Sequence, residues 1–555
     1  MTPEELNVEF PLGSDSLPQA GVPQGKLEQF TFSTSRLFPG TVRDYWVYVP
    51  AQYDAAKPAC VFVVQDGKAH WQPDRRWRIP TILDNLIHQR AIPVMIGVFI
   101  DPGVIPATAA GAAERINRSF EYDSLGDRYA RFVLEEILPE VGRRYALAAD
   151  GNSRAIMGGS SGAFCAFNAA WERPDGFSRV LSIVGSYTAM RGGHTLAPLV
   201  RVTEPKPLRV FIESGADDFK IFCGDWWSAN LEMLAALEYA GYEVNHAWSE
   251  HAGHNDFHGS SIFPAALRWL WQDYPKPIQA GVNSKQSIVR VTVPGETWEL
   301  VAGEYMAALA ITTNAEGEAF FVSPYENLVY RLDDDGAAEK FSAAAELTQD
   351  LAWGPGRKLY FSQPASRRVL VGGKTGKPKT WLDDIDAHGL AFASNGNGFL
   401  ADPVKQCVWL VTPSGERRVV ARDLGCPAAV RVTTDQSQLI VTDAMVPVAW
   451  LFTILPDGGL ANGAPFYPLL RPDDAGAPAG SGCLALSVHG WTIFATQAGL
   501  QFADKFGLIA GIIMPRRGKR VDGVALAGKD QSQLYVTDGR CVYRRKIQSP
   551  ESLWC

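Results

Sequence analysis

The sequence predicts an α/β domain followed by an all-β domain built as a six-bladed propeller. Two observations lead to this fold class. Before about residue 275, short apolar strand patterns alternate with helix-period stretches, which indicates a mainly parallel sheet covered on both faces. Beyond that point helical patterns nearly vanish, and a short strand pattern recurs about every 40 residues, which is typical of propeller blades.

The composition is that of a globular protein with more than one domain. The chain has 555 residues, 46% of them hydrophobic and 20% charged, so it can bury sizeable cores and exceeds the usual length of one domain. The net charge of −8 and the lack of long Lys/Arg runs argue against a nucleic-acid or anionic-membrane partner. The eight scattered Cys form no C-x-x-C pair, which argues against a disulfide framework and structural zinc.

The N-terminal residues do not have the pattern of a targeting segment. The stretch MTPEELNVEF is acidic and lacks the basic and apolar regions of a signal peptide. No run of about 18 apolar residues occurs, as a membrane span would need. We therefore expect a cytoplasmic protein, or a secreted or periplasmic one if a leader precedes the given sequence.

The α/β domain is expected over residues 25–275, after an N-terminal extension at 1–24. Its predicted strands lie at 45–50, 60–65, 94–100, 154–158, 181–186, 209–214 and 244–249. Its clearest helical stretches lie at 128–145 and 230–241. A stretch rich in Pro, Gly and polar residues follows, which predicts a linker at 276–287.

The propeller domain is expected over residues 288–555. Its repeat is visible when one small residue of each strand pattern is aligned, namely Ser323, Ser362, Ala401, Thr442, Ala495 and Thr537. The spacings of 39, 39, 41, 53 and 42 residues predict six blades. An irregular β-sandwich is the alternative.

A nucleophilic serine is predicted at Ser160. The pentapeptide GGSSG at 158–162 fits G-x-S-x-G, follows an apolar strand pattern and precedes a helix-like stretch, as a nucleophile elbow requires. Such a sharp turn needs small residues beside the nucleophile, and the following helix N-terminus favours negative charge. A plain tight turn is the alternative.

A serine nucleophile needs a base, which is expected on the loop after the last strand. That loop, at 251–259, carries three histidines. We choose His254, in the loop centre, with His251 and His258 as alternatives. Joint ligation of a metal by the three is a further alternative.

The acid of the triad is expected on the loop after the strand at 209–214. Asp218, the last residue of a G-x-x-D turn, is favoured over Asp217, and Glu213 lies within the strand. The acid would hold the histidine tautomer and stabilise the imidazolium. A turn aspartate that caps the next segment is the alternative.

An oxyanion hole is expected from backbone amides. One donor is the N–H of Ser161, the residue after the nucleophile. The second is expected after the strand at 60–65, from Gly67 or Lys68, where the glycine permits close backbone approach.

Residues 25–275 resemble the esterase D / enterochelin-esterase-like branch of the α/β-hydrolases. The resemblance is carried by the stretches at 39–54, 63–67, 115–141, 158–162, 229–244 and 253–271. It implies an α/β-hydrolase fold and a serine esterase, with relatives that cleave feruloyl or acetyl esters of plant polysaccharides or siderophore trilactones. By position, the triad falls on Ser160, Asp218 and His254.

The resemblance also suggests substrate-binding residues. Arg118 and Glu121 match the family's R-x-x-E-Y stretch beside the active site, and a structural ion pair is the alternative. Aromatic side chains on the expected site loops would suit sugar faces or aryl acyl groups, with core or rim packing as the alternative; they are Trp226, Trp227, Phe222, Trp71 and Trp77.

Residues 288–555 resemble the gluconolactonase / senescence-marker-protein propellers, through the stretches at 387–392, 439–444 and 534–539. Active members of that family hold a divalent metal at the channel mouth with Glu, Asn and Asp. Here Asp443 remains, but the expected Glu and Asn positions fall on the apolar stretch at 306–312, on His388 and on Ala428. Substitute ligands could come from Asp350, Asp402, Asp522 and Asp538, but turn or Asp-box roles are favoured for these four. Because hard cations need several oxygen ligands, we expect no metal and a non-catalytic propeller.

The sequence therefore predicts a serine carboxylesterase that needs no cofactor and acts on a small-molecule or carbohydrate ester of the feruloyl or acetyl type. The first alternative is a bifunctional esterase and metal-dependent lactonase. A siderophore trilactone esterase and a binding protein with a relic hydrolase domain are the others. Homo-oligomerisation is left open.

Overall fold

The structure is a computed structural model that describes residues 1–333, 335–343, 347–374, 376–470, 480–515 and 521–553. The chain divides into two compact units. One is formed by Met1–Arg201 with Pro205–Asn283, and the other by Val202–Glu204 with the chain from Ser284 onward. The first is an α/β unit and the second an all-β propeller, so the predicted fold class is confirmed.

One eight-stranded sheet forms the centre of the first unit. Its strands are β1 Lys26–Phe32, β2 Arg43–Val49, β3 Cys60–Gln65, β4 Met95–Ile100, β5 Arg154–Gly159, β6 Arg179–Ile183, β7 Arg209–Asp217 and β8 Glu243–Gly253. They lie in the order β1-β2-β4-β3-β5-β6-β7-β8. All neighbours from β4 to β8 are parallel, and only the pairs that include β2 are antiparallel. The edge strand β1 escaped prediction because it is polar and largely exposed.

Helices connect and cover these strands. They are α1 Pro3–Glu9, α2 Gly67–Trp71, α3 Ile79–His88, α4 Arg118–Tyr122, α5 Arg128–Phe132, α6 Leu138–Gly142, α7 Ser161–Glu172, α8 Leu196–Val202, α9 Trp226–Ala240 and α10 Phe257–Leu270. The predicted helix at 128–145 is not uniform, because a π-helical turn, Val133–Ile137, separates α5 from α6. Pro139, which has no amide hydrogen to donate, lies just after that turn.

The sheet is buried on both faces. Successive residues Val61, Phe62, Val63 and Val64 of β3 are all fully buried, although their side chains point to alternate faces. Helices α3 and α10 cover one face through a cluster that includes Phe62 and Phe263. This explains why the central strands have continuous apolar patterns. None of the helices in the described ranges has the length and apolarity needed to cross a bilayer.

The second unit consists of six four-stranded antiparallel blades. Blade 1 is Ile311–Thr313, Ala319–Ser323, Leu328–Leu332 and Ala338–Ala343; blade 2 is Asp350–Gly354, Lys358–Gln363, Arg368–Gly372 and Lys379–Asp383; blade 3 is Gly389–Phe392, Gly398–Asp402, Cys407–Val411 and Arg417–Ala421. Blade 4 is Pro427–Val432, Gln438–Asp443, Val448–Ile454 and Leu460–Pro468; blade 5 is Leu484–Leu486, Thr492–Thr496, Gly499–Ala503 and Ile509–Ile513; blade 6 is Gly523–Ala527, Gln533–Thr537, Val542–Lys546 and Glu299–Ala302.

The blades agree with the repeat seen in the sequence. Each of the six aligned small residues lies on the second strand of its blade and is buried. The β-sandwich alternative is therefore wrong. The last blade takes its outer strand, Glu299–Ala302, from the start of the unit, and this pairing closes the ring.

Candidate active site

Ser160 lies in the turn between β5 and α7. Its backbone angles are φ 57° and ψ −123°, a strained conformation for a residue with a Cβ. Two backbone hydrogen bonds connect the turn to the end of β6 and the loop after it: the Ser160 N–H donates to the Ile183 carbonyl at 2.9 Å, and the Ser186 N–H donates to the Ser160 carbonyl at 3.2 Å. The strain is therefore maintained by the loop after β6.

Close contacts surround the outer glycines of the G-x-S-x-G motif, and they are tightest at Gly158. A Cβ on Gly158 would lie 2.3 Å from the carbonyl carbon of Gly162, and a Cβ on Gly162 would lie 3.1 Å from Asp66 Oδ2. Gly159 is different, since its nearest neighbour would be the Ile183 oxygen at 4.0 Å. The motif is thus explained by packing at its two ends.

His254 connects Ser160 to Asp218. Its Nε2 lies 2.9 Å from Ser160 Oγ, and its Nδ1 lies 2.7 Å from Asp218 Oδ1. The Asp218 side chain is fully buried, and its Oδ1 also accepts the Phe219 amide at 2.7 Å. An ionised carboxylate can only accept, so Nδ1 carries the proton and Nε2 is free to accept the serine hydroxyl.

The alternative acid and bases lie elsewhere. Asp217 and His251 are exposed. His258 is buried, with its Nδ1 2.7 Å from Glu213 Oε1; burial raises the pKa of Glu213, while the hydrogen bond from His258 opposes that shift. The three histidines therefore do not converge, and the described part of the chain holds no group of three or more His, Cys, Asp or Glu suited to a metal.

The expected oxyanion donors lie at the first turns of two helices. Ser161 begins α7 and Gly67 begins α2. A Cβ on Gly67 would lie 2.4 Å from the Phe99 carbonyl carbon, so α2 starts in close contact with β4. The Lys68 amide is engaged, because it donates to Asp101 Oδ1 at 2.9 Å.

Arg118 joins the loop after β3 to the nucleophile turn. Its guanidinium donates from Nε and Nη2 to the two carboxylate oxygens of Asp66, both at 2.8 Å. Nη2 also lies 3.4 Å from the carbonyl oxygen of Gly159. The side chain is one third exposed, so it supports the site from its rim.

Glu121 lies inside the protein. Its carboxylate accepts from Arg43 Nη1 at 2.5 Å and Nη2 at 2.9 Å, and both side chains are 0% exposed. The Asn117 amide donates to the same carboxylate at 2.9 Å. Glu121 thus forms a structural ion pair, which was the alternative to a role in substrate binding. A substrate cannot reach the Glu121 carboxylate in this structure.

Two aromatic rings contact the histidine of the site. Phe219 stacks on His254 with ring centroids 4.1 Å apart and planes 18° apart. Trp226 presents an edge to His254 at 5.9 Å and is itself buried. Phe222 lies on the same loop and is 99% exposed.

The remaining predicted aromatic residues are packed away from the histidine. Trp227 packs edge-on against Trp248. Trp71 packs against Trp46, and Trp77 packs against Phe263 in the core. Core or rim packing is the alternative that the structure has for these three: Trp77 lies in the core, Trp71 packs against it, and Trp227 is half-buried.

Sequence reasoning missed two residues at the site, Ser186 and Phe219. The Ser186 hydroxyl lies 3.1 Å from Ser160 Oγ, and Phe219 covers the imidazole. The sequence position of each residue could have indicated its place at the site. Ser186 ends a predicted strand at the edge where the site lies, and Phe219 directly follows the expected acid.

Two aspartates at the ends of propeller strands, Asp443 and Asp402, accept hydrogen bonds from the protein. Asp443 accepts the amides of Cys426, Met445 and Val446 at 2.8–3.1 Å. Asp402 accepts the Lys405 amide and the Trp409 indole N–H. These are turn and strand contacts, and they occupy the carboxylate oxygens that a cation would need.

Two family models match the chain. The family described as "Putative esterase" matches residues 39–251, and the family described as "SMP-30/Gluconolactonase/LRE-like region" matches residues 310–540. Both resemblances drawn from the sequence are therefore confirmed. The chain combines an esterase-like α/β domain with a gluconolactonase-like propeller, and the first match supports a hydrolase that acts on esters.

Similar proteins include the uncharacterized protein YbbA of Bacillus subtilis. It is 24% identical over 180 residues, which cover 32% of this chain and 69% of YbbA. Among solved structures, an enterobactin esterase of Shigella flexneri is 24% identical with a TM-score of 0.37, covering 46% of this chain and 61% of its own. A ferulic acid esterase is 20% identical with a TM-score of 0.37, covering 45% and 99%. A gluconolactonase of Xanthomonas campestris is 15% identical with a TM-score of 0.40, covering 47% and 93%.

Proposed function

We propose that the protein is a serine carboxylesterase in which Ser160 is the nucleophile, His254 the base and Asp218 the residue that orients the base. The observation that carries the proposal is one continuous contact path. Ser160 Oγ lies 2.9 Å from His254 Nε2, and His254 Nδ1 lies 2.7 Å from Asp218 Oδ1, at a strained turn that opens a helix.

The first half of the reaction forms an acyl-enzyme. Ser160 Oγ attacks the ester carbonyl carbon while its proton moves to His254 Nε2. The negative oxygen of the tetrahedral intermediate is stabilised by the backbone N–H groups of Ser161 and Gly67. The intermediate then breaks its bond to the alcohol oxygen, which takes the proton from His254. The alcohol leaves, and the acyl group stays on Ser160.

The second half releases the acid. A water molecule attacks the acyl carbon and gives its proton to His254 Nε2, and collapse of the second intermediate returns that proton to Ser160 Oγ. Asp218 stabilises the imidazolium in both halves. The N-terminus of α7 favours the negative charge beside Ser160. All of these steps use groups of this chain and water.

We further propose esters of the feruloyl or acetyl type, on carbohydrate, as the substrate class. The esterase match and the resemblance of the stretches around the triad support an ester. Two exposed rings on the loop after Asp218, Phe219 at 47% and Phe222 at 99%, suit an aryl acyl group. A siderophore trilactone is the second candidate, because it resembles such a substrate in carrying aryl groups and ester bonds.

The propeller is proposed to have no hydrolytic activity of its own. Its remaining family-type ligand, Asp443, is buried and accepts three backbone amides. His388 and Ala428 stand where the resemblance expects asparagines. A lactonase that needs a metal with several oxygen ligands is therefore not supported.

The test is hydrolysis of p-nitrophenyl acetate and methyl ferulate by the full chain and by Ser160→Ala. Loss of a triad nucleophile typically lowers kcat by several orders of magnitude. A fluorophosphonate probe should label the parent on Ser160, located by peptide mass spectrometry, and should leave the folded variant unlabelled. Retention of more than about a tenth of the parental kcat by Ser160→Ala would show that another residue is the nucleophile.

A further inference from the structure

A cavity of about 260 Å³ lies between the inner strands of the propeller. Six of its lining residues occupy equivalent positions on the innermost strands of the six blades. Each is paired with a residue on the second strand of its blade, two positions before the small residue that was aligned in the sequence repeat. In blade order they are Ile311, Ala352, Ala391, Arg431, Ala485 and Ala525. Blade 4 thus places an arginine where four other blades have alanine.

The guanidinium of Arg431 is only partly satisfied by the protein. Its Nη1 donates to the carbonyls of Val430 at 2.8 Å and Leu390 at 3.5 Å. Among the described residues no carboxylate lies within ion-pair distance of it. Asp350 is near enough to interact electrostatically, but its oxygens accept the amides of Leu351 and Leu390.

The other lining residues select the kind of anion. Among the described residues that line the cavity, Arg431 is the one with a charged side chain, and Trp353 and Phe392 are the aromatic ones. The same two residues also line a larger cavity of about 540 Å³. Arginine binds a carboxylate in a planar, two-point geometry, and the rings suit an aryl group.

We propose that the propeller channel binds a small aryl carboxylate, with its carboxylate on Arg431 and its ring in the apolar part of the channel that Trp353 and Phe392 help to line. The acid released by an aryl esterase belongs to this class, but the site does not depend on the proposed activity. The alanines of the neighbouring blades leave the space that the ligand fills.

Calorimetry on the full chain with benzoate, and with benzamide as the uncharged isostere, tests the site. Arg431→Ala introduces the residue that four other blades have at this position, so the fold should be kept. Circular dichroism checks the fold. We expect benzoate to bind at least about tenfold more tightly than benzamide, as loss of a charge-assisted pair implies, and Arg431→Ala to remove that preference. Three results would each overturn the proposal. They are equal binding of the two probes, no benzoate binding up to roughly 10 mM, and benzoate binding by Arg431→Ala that equals that of the parent.

A second, independent observation concerns the nucleophile. Ser186 Oγ lies 3.1 Å from Ser160 Oγ and 3.2 Å from Trp226 Nε1. Ser186 and Trp226 are both buried. The loop that carries Ser186 is held by Asn230, whose side-chain amide donates to the Gly185 carbonyl at 2.9 Å.

The direction of each hydrogen bond in the series Trp226–Ser186–Ser160–His254 follows from which groups can donate. An indole N–H can only donate, so Ser186 Oγ accepts from Trp226. His254 Nε2 accepts, because Nδ1 donates to Asp218, and Ser160 therefore gives its own hydrogen to His254. The contact between the two serines then requires that Ser186 donates to Ser160 Oγ.

We infer that Ser186 is a further catalytic residue of the proposed esterase reaction and that Trp226 is a positioning residue that acts through it. The donated hydrogen bond stabilises the negative charge that builds on Ser160 Oγ as its proton moves to His254. It acts again when Ser160 Oγ is the leaving oxygen of deacylation. This inference rests on the proposed function.

The test uses Ser186→Ala, Trp226→Phe, the double variant and Ser186→Thr, with p-nitrophenyl acetate as substrate. Ser182→Ala is the matched control, because its buried hydroxyl contacts Tyr187 OH at 2.8 Å rather than Ser160. Loss of a hydrogen bond to a charged group should lower kcat by about tenfold in Ser186→Ala, with KM nearly unchanged. Trp226→Phe should lower kcat less, and the double variant should match Ser186→Ala alone.

The outcomes are distinguishable. Threonine should restore most of kcat, and Ser182→Ala should keep it. If Ser160→Ala is inactive while folded Ser186→Ala retains kcat within about a factor of two, this inference fails and the proposed function stands. If Ser186→Ala does not fold, Trp226→Phe decides by whether it lowers kcat at constant KM. If the double variant loses as much kcat as the two single variants combined, Trp226 does not act through Ser186.

Discussion

The ring of Phe219 lies parallel to the imidazole of His254, with centroids 4.1 Å apart. Phe219 follows Asp218 directly, and its amide donates to the Asp218 carboxylate at 2.7 Å. One residue thus contacts both the proposed base and the proposed acid. The stack restricts the imidazole to the plane in which its two nitrogens reach Ser160 and Asp218.

Replacing Phe219 by alanine should therefore loosen His254 and lower kcat. An aromatic stack contributes about 0.5–1.5 kcal/mol, so a loss of about two- to tenfold is expected. Phe222→Ala on the same loop is the control, since that ring is almost fully exposed and should affect KM for aryl esters rather than kcat. Steady-state kinetics with p-nitrophenyl acetate and methyl ferulate measure both. Equal kcat in Phe219→Ala and the parent would contradict an orienting role.

The assignment of the acid can be tested by two neighbouring substitutions. Asp218→Asn should lower kcat by orders of magnitude, because it changes the tautomer of His254, whereas exposed Asp217 should tolerate Asn. His254→Ala should cost nearly as much as Ser160→Ala, and the double variant little more, because triad members act as a unit. The reverse order for the two aspartates would move the acid by one position.

The glycines of the elbow should differ in their tolerance of a methyl group. Gly158→Ala forces a backbone contact of 2.3 Å with Gly162 and should destabilise the protein by about 2 kcal/mol or more. Gly159→Ala has open space and should change stability by less than about 1 kcal/mol. Urea unfolding of the two variants compares them directly. Similar losses in both would show that the contact between Gly158 and Gly162 does not limit the turn.

Glu121→Gln should affect stability rather than the reaction. It leaves the Arg43 guanidinium buried without a charged partner, which typically costs about 3–5 kcal/mol. Glu140→Gln breaks the exposed pair with Arg143 and should cost less than about 1 kcal/mol. Urea unfolding measures the loss, and kinetics well below the transition should show an unchanged KM. A raised KM in folded Glu121→Gln would restore a role in substrate binding.

Chelation should leave the esterase unchanged. The proposed steps use only protein groups and water, so EDTA is expected to alter p-nitrophenyl ester turnover by less than about a factor of two. Gluconolactone hydrolysis should stay at the background rate with added Ca²⁺, Mg²⁺ or Zn²⁺, because Asp443 already accepts three amides. Metal-dependent lactone turnover would instead favour the bifunctional alternative.

The sequence by itself determined the fold class, the six-blade repeat and the strand–turn–helix around Ser160. These features depend on local periodicity and turn chemistry, which a single stretch of chain expresses without its neighbours. The order of strands also placed Asp218 and His254 on successive loops at one edge of the sheet. In the structure His254 lies within hydrogen-bond distance of both Ser160 and Asp218.

Only the tertiary structure decided which side chains meet. Glu121 has its partner Arg43 on a strand 78 residues earlier, and the Lys68 amide finds its acceptor at Asp101. Ser186 reaches Ser160 because β5 and β6 are neighbours in the sheet. A buried charge or amide needs a partner, because leaving it unpaired costs free energy. Which group becomes that partner depends on how distant segments of the chain pack, and no local sequence pattern encodes this.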